Sequence, residues 1–135
     1  MKNTILKVKE YHYRTNCELL NALFGTSYQG YQFSVYRLND DYYVWMVAFN
    51  TKKNGWHNEM DNNTIIERRK EYSNHWVFQA GLKHKYRLVF EKCEDKAGRF
   101  FYFHGVFKTS KISDDNLERT LIKVKDEINL KNLKF

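Results

Sequence analysis

Two aromatic-rich runs, YRLVFEKCE (86–94) and GRFFYFHGVFK (98–108), flank the residues Asp95, Lys96, Ala97 and Gly98, and they constrain the fold more than any other segment. Both runs are dense in β-branched and aromatic residues and the link between them is made of turn formers, so they read as an antiparallel hairpin. A strand in a one-sided sheet buries only every second side chain. The second run carries rings on both faces: Phe101 and Phe103 on one, Phe100, Tyr102 and His104 on the other. Either both faces of the sheet are covered, or one face offers rings to a ligand. Phe101 and Phe103 are assigned to the core. Tyr102 and His104 are candidates for a pocket, beside which Gly105 allows a bend or a close backbone approach.

The rest of the chain supplies partners for this hairpin. YQFSVYRL (31–38) and YYVWMVAFN (42–50), joined by Asn39, Asp40 and Asp41, predict a second hairpin, whose latter strand is apolar on both faces. ILKVKEYHY predicts a short strand. TNCELLNALFG predicts a helix, with Thr15 and Glu18 at capping-box spacing, Gly25 at the stop, and an apolar stripe of Cys17, Leu20, Leu23 and Phe24. Residues 51–63, TKKNGWHNEMDNN, read as a polar loop, TIIERRKEY as a short strand or turn, and Asn74 to Leu82 as a short helix. SDDNLERTLIKVKDEINL reads as a closing helix capped by Ser113, with Leu117, Leu121, Val124 and Ile128 on one face. The expected fold is one α+β domain over residues 1–135. Its curved, mainly antiparallel sheet or partial barrel carries an N-terminal and a C-terminal helix.

Charge points to a partner. Lys and Arg outnumber Asp and Glu by 23 to 16, a net charge of +7 that favours an acidic ligand, nucleic acid most economically. Lys52 and Lys53, Arg68 and Arg69, and Lys83 and Lys85 fall at loops or strand edges, where they would reach phosphates; the plainer alternative is a solvated edge that discourages aggregation. Trp56 stands in the polar 51–63 segment beside Asn58, Glu59 and Asp61, a ring that stacks next to groups that pair with the edge of a base. Tyr43 and Trp45 are further candidates for stacking.

Catalytic signatures are missing. No GxSxG, phosphate-binding loop, HExxH or GxGxxG motif occurs, and no two of the five histidines share the i, i+3 or i, i+4 spacing of a helical metal pair. Glu94, Asp95 and Lys96 spell half of a nuclease motif but lie on the hairpin turn without a partner aspartate. The expectation is a protein that is not an enzyme, with no cofactor and no metal site. Cys17 and Cys93 lack CxxC spacing and read as reduced thiols, and no run is apolar enough for a signal peptide or a membrane span. A cytoplasmic location without membrane contact is expected.

From Trp45 to Val124 the features fall in a familiar order: the loop bearing Trp56, Asn58 and Glu59, the segment Thr64-Ile65-Ile66, an N-x-x-x-F piece, then Leu88-Val89-Phe90-Glu91-Lys92 and Tyr102-Phe103-His104-Gly105-Val106-Phe107. This order resembles the modified-DNA reader domains of the PUA-like superfamily, the SRA-like and EVE-like modules. The resemblance implies a curved sheet or pseudo-barrel with an aromatic pocket for a flipped, modified base. The resemblance reaches only the hairpin and the loop from Trp56 to Asp61; with Tyr43 and Trp45 added from the residues themselves, the expected pocket is Tyr43, Trp45, Trp56, Asn58, Glu59, Asp61, Tyr102 and His104, and the basic residues named above would hold phosphates. No nuclease or helicase module accompanies it, and the motif assigns no second pocket aromatic. A different class stays open beside it. A small phage or mobile-element inhibitor that blocks a bacterial defence nuclease, of anti-CRISPR or anti-restriction type, would be equally short, basic and rich in Tyr, Trp and Arg anchors. The partner is then a nucleic-acid-binding effector protein rather than DNA.

Overall fold

The computed structural model describes residues 5–53 and 56–133, without the side chains of residues 51–53, 56 and 132. In chain order the elements are β1 (Ile5–Lys7), β2 (Lys9–Tyr11), α1 (Asn16–Phe24), β3 (Val35–Arg37), β4 (Tyr42–Val47), β5 (Thr51–Lys53) and β6 (Trp56–Asp61). They continue with β7 (Thr64–Arg69), α2 (Trp76–Lys83), β8 (Tyr86–Asp95), β9 (Gly98–Ile112), β10 (Glu118–Lys125) and β11 (Glu127–Asn129), closed by a 3-10 turn over Leu130–Asn132. The fold is α+β. Its main sheet runs β3-β4-β8-β9-β10-β7-β6-β5, with β2 added to β9, and among the described residues only β4 and β8 pair in parallel. β1 and β11 form a separate two-stranded ribbon.

The aromatic hairpin is the spine of the sheet. β8 and β9 pair from Tyr86↔Lys108 to Asp95↔Gly98, and the Asp95 carboxylate accepts the Ala97 N–H at 2.8 Å to close the turn. Both faces are covered, which settles the surplus of rings. On one face α1 and the β1–β11 ribbon enclose Val44, Met46, Leu88, Phe90, Phe101 and Phe103. On the other, Tyr43, Trp45, Val47, Val89, Phe107 and Leu121 form a second core with Ala80 and Val77 of α2. β4 is therefore central and apolar on both sides.

A bulge controls the parity of β9. Val89 opposes Gly105 and Phe90 opposes Phe103, which leaves His104 as the extra residue. Phe101 and Phe103 face the α1 side before it, and Val106 does so after it, while Phe107 turns to the α2 side. Gly105 has φ +110, and a Cβ there would collide with the Lys125 carbonyl oxygen. Its predicted close approach is to the backbone at the end of β10.

α1 forms as its sequence dictates. The Thr15 hydroxyl accepts the Glu18 N–H at 3.1 Å, and Gly25 ends the helix in the left-handed region at φ +71. Its buried stripe is Leu19, Leu20, Leu23 and Phe24, with Cys17 only partly covered. α2, predicted from Asn74 to Leu82, begins at Trp76 and runs through Lys83.

Two expectations are corrected. The predicted C-terminal helix is strand β10, paired on both edges, with β9 and with β7. Ser113 and Asp115 build a turn instead of a helix cap. The Ser113 hydroxyl accepts the Glu118 N–H at 3.0 Å, Asp115 accepts the Leu117 N–H at 3.0 Å, and Asn116 adopts φ +64. Arg119 and Leu121 then point inward while Ile122 and Val124 are exposed, a period of two that the helical reading of Leu117, Leu121, Val124 and Ile128 overlooked. The predicted 51–63 loop is the pair β5 and β6, and an Asn62-Asn63 turn with Asn62 at φ +55 leads β6 into β7.

Gly105→Ala is expected to cost about 2 kcal/mol or more, because a side chain must occupy a positive-φ position pressed against backbone. Urea denaturation of the two proteins measures it, and an unchanged midpoint would remove the bulge from this account.

Candidate functional site

Strand alternation gathers a set of unlike side chains onto the α2 face. Tyr43 and Trp45 come from β4, Asn58 from β6, Glu67 and Arg69 from β7, and Arg119 from β10. They line a cavity of about 580 Å³ roofed by Val77, Phe78 and Gly81 of α2. That size lies within the roughly 300–1,000 Å³ usual for clefts that hold small ligands.

Charge is buried in and behind the cavity floor. Arg87, Glu67 and Arg119 are among the few buried charged residues of the protein, at 0%, 4% and 1% exposure. One carboxylate oxygen, Glu67 Oε1, accepts from Arg87 Nη2 at 2.9 Å and from Arg119 Nη1 at 3.2 Å. The Arg87 guanidinium also lies 4.5 Å from the Trp45 ring centre and 5.2 Å from that of Tyr43, and the Arg119 guanidinium lies 4.3 Å from that of Phe78. Such stacking is worth roughly 0.5–2 kcal/mol per pair and lets the planar cations sit beside rings out of water. Arg87 Nε and Nη1 have no hydrogen-bond acceptor. Burial, reinforced by the neighbouring Arg87 cation and opposed by Glu67, pulls the Arg119 guanidinium below its ordinary value. Burial pushes the Tyr43 phenol well up, so Tyr43 stays protonated. Gly81 lets α2 settle on this floor: a Cβ there would collide with Arg119 and come within 2.9 Å of Arg87 Nη2.

Asn58 contributes the other polar feature. It is 8% exposed, and its side-chain oxygen is buried with no donor. A buried acceptor without a donor is costly in the empty protein and available to a ligand N–H.

Aromatic side chains ring the mouth. Phe33, from the loop between α1 and β3, meets Trp76 at the start of α2 edge to face at 5.0 Å. Phe33 and Trp76 are 43% and 42% exposed. The Phe33 loop is tied back to α1, since Asn16 Nδ2 donates to the Phe33 carbonyl at 2.9 Å, and the Tyr31 hydroxyl donates to the Val35 carbonyl at 2.6 Å. His75 caps α2 by accepting the Val77 N–H at 3.3 Å and lies against both rings.

The residues singled out in the sequence divide around this cavity. Tyr43, Trp45, Asn58 and Arg69 line it. Glu59 and Asp61 alternate to the far face of β6, where Glu59 pairs with His57 at 2.6 Å and Arg68 at 3.5 Å. The His57 hydrogen bond, with Arg68 behind it, holds the Glu59 carboxyl below its usual range. Arg68 is engaged by Glu118 at 2.6 Å. Tyr102 and His104 stand outside the lining. His104 pairs with Glu91 at 2.8 Å and packs on Phe49, which in turn packs on Trp45, so one ring intervenes. Lys83 and Lys85 are exposed at the end of α2 remote from Trp76, about 12 Å along the helix. Lys52 and Lys53 lie on β5 and Trp56 opens β6, but their side chains fall outside the described residues. Among the described residues, no cluster of three or more His, Cys, Asp or Glu forms a metal site, and no helix is long and apolar enough to cross a membrane.

Sequence reading did not assign Glu67, Arg87, Arg119 or Phe33 to the site, and took Arg87 only as part of a basic cluster with Lys83, His84 and Lys85. A signal existed for the first three. Each lies two residues from an inward apolar position, Ile65, Val89 and Leu121, so strand periodicity points a charge into the core three times, once negative and twice positive.

Replacing Glu67 by Gln is expected to destabilise the fold by about 3–5 kcal/mol, because two buried guanidinium groups lose their counter-charge. Thermal melting followed by circular dichroism checks this, and a loss below about 1 kcal/mol would show that the rings alone carry the arginines.

Comparison with known proteins agrees with this architecture. The SET and RING associated domain family matches residues 1–130. Among solved structures, the 5-hydroxymethylcytosine-specific restriction enzyme AbaSI superposes with a TM-score of 0.64 at 22% identity, over 94% of this chain. The chain spans 40% of the length of that enzyme. No curated protein sequence matches it.

Proposed function

The chain belongs to the SET and RING associated (SRA) domain family, and from that premise we propose that it is a non-catalytic DNA-binding domain that takes a flipped, modified cytosine into the cavity beneath α2. The observation that carries this reading is the buried, donor-less oxygen of Asn58 in a cavity walled by Tyr43 and Trp45. A cytosine presents an exocyclic amine, and an amide oxygen at the end of a base-sized cleft is the acceptor that amine needs. The AbaSI enzyme, named for 5-hydroxymethylcytosine, shares the fold, which makes a cytosine modified at C5 the first ligand to test.

Extrusion leaves a gap in the duplex, and the exposed rings of Phe33 and Trp76 at the mouth are suited to stack on the bases beside it. Arg69 at the cavity edge, with exposed Lys83 and Lys85, would hold the backbone phosphates, and Lys52, Lys53 and Arg68 are the further basic residues to test for phosphate contact. Binding then weakens with salt. Tyr102 and His104 have a supporting part in this reading, behind the wall of the site rather than in the cavity itself.

Fluorescence anisotropy with duplexes that carry one modified or one plain cytosine tests the proposal. Binding should favour a modified duplex and decline with salt. Asn58→Ala should weaken binding of the modified duplex by roughly 1–3 kcal/mol, because the exocyclic amine loses its acceptor, while Phe33→Ala should weaken all duplexes by roughly 1–3 kcal/mol. Equal affinity for modified and plain duplexes at every salt concentration would end the reading. Retention of a partner protein after nucleic acid is digested away would favour the inhibitor class instead.

A further inference from the structure

We propose that the nucleotides beside the extruded base are held unpaired on a row of aromatic rings that leads away from the cavity mouth, so that DNA single-stranded next to the modified cytosine is the preferred substrate. The inference rests on the base-reading function above and adds the state of the strand around the base.

Among the described residues, the most exposed Tyr, Phe and Trp side chains are Tyr28, Phe33, Tyr72 and Trp76, at 40% to 53% exposure. They gather in one place. Phe33 meets Trp76 at 5.0 Å, Tyr31 follows Phe33 at 5.9 Å, and Tyr28 follows Tyr31 at 5.0 Å. Tyr72 packs on Phe78 of the cavity roof at 5.1 Å. Single exposed rings need no explanation, but a contiguous exposed group marks a surface that meets a partner. Tyr31 is partly buried against the α1 core, whereas Tyr28 and Phe33 stand outside it. The backbone that carries the row is fixed. The Asn21 side-chain oxygen, on α1, accepts the Tyr28 N–H at 2.9 Å and the Thr26 hydroxyl at 2.6 Å, and its nitrogen donates to the Tyr28 carbonyl at 2.9 Å. Rings presented on a fixed backbone lose little freedom when a ligand covers them.

Two observations select the ligand. A protein seated on these rings would close the mouth that the base must enter, since Phe33 and His75 line the cavity. The segment that carries the row, TSYQGYQFS (26–34), has no charged residue, so it suits the faces of bases rather than phosphates. Spacing then selects the state of the strand. Neighbouring rings stand 5.0 to 5.9 Å apart and turn by 39° to 74° from one to the next. Bases within a duplex lie parallel at about 3.4 Å per step. They cannot seat on successive rings of this row, whereas unpaired bases can turn one at a time.

Fluorescence anisotropy with the full chain tests this. The probes are single strands with one central 5-hydroxymethylcytosine or plain cytosine, flanked on each side by three thymidines or by three abasic sites that keep the phosphates. Thymidine flanks should bind at least about fivefold tighter than abasic flanks, the effect of one base stacked on one ring. That factor should persist at high salt, because the row carries no charge to be screened. At high salt the thymidine strand should also bind tighter than its complete duplex. Tyr28→Ala should remove at least half of the gain and Tyr28→Phe should keep it, with melting curves to confirm that both fold. Both variants should keep the preference for modified cytosine. If abasic flanks bind as tightly as thymidine flanks, the row is overturned as a base-binding surface and a protein becomes its occupant. A gain that vanishes at high salt, a tighter duplex, or a Tyr28→Ala protein that binds like the parent overturns it as well. In each of those cases a preference for modified over plain cytosine leaves the base-reading function standing. If modified and plain cytosine bind alike on every probe, the base-reading function itself fails.

Discussion

The contact between Glu67 and the two arginines organises the α2 side of the protein. Glu67 is on β7, Arg119 on its neighbour β10, and Arg87 on β8, which is separated from β7 by both β9 and β10. Three strand spacings amount to about 14 Å in a flat sheet. An ion pair of 2.9 Å across that interval requires long side chains on the concave face of a sheet that curls toward α2. The curl supplies the walls of the cavity, and α2 is the roof. Gly81 brings the roof down onto the guanidinium groups, where a Cβ would force Arg119 or the helix to shift. The protein therefore keeps its most expensive charges beside a cavity with room for a ligand.

The other face is ordinary by comparison. Its core is aliphatic and aromatic, without a charged member, and it is covered by α1 and the β1–β11 ribbon. The bulge at His104–Gly105 lets a single strand serve both sides. Before it, β9 gives Phe101 and Phe103 to the α1 face. After it, Phe107 joins the core of the α2 face, next to Leu121. Gly105 also brings the backbone of β9 against the end of β10. The apolar core and the charged cavity are thereby divided between the faces of the same sheet.

Much of the frame was legible in the sequence, because it rests on local rules. The β8–β9 and β3–β4 hairpins follow from alternation and turn residues, and α1 follows from Thr15 and Gly25. The order of motifs also carried the family resemblance, in agreement with the match over residues 1–130. Less was legible of β10, where leucine and isoleucine spaced by three and four mimic a helix. Pairing with β7 and β9 overrides that pattern, since a strand flanked on both edges satisfies its whole backbone. The 51–63 segment was obscured by its polarity: Asn58 points inward to a cavity, so the usual apolar member of the alternation is a polar one.

By itself the sequence determined an α+β chain with a central aromatic hairpin, a basic surface, and Tyr43, Trp45 and Asn58 as pocket candidates. These are properties of residues and of their near neighbours along the chain. The tertiary structure alone decided which residues meet. Glu59 and Asp61 turn away because β6 is a strand, Phe49 stands between His104 and Trp45, and Glu67 reaches Arg87 over 20 positions of sequence and Arg119 over 52. No local rule relates those three charges. Only the order of strands in a curled sheet brings them together.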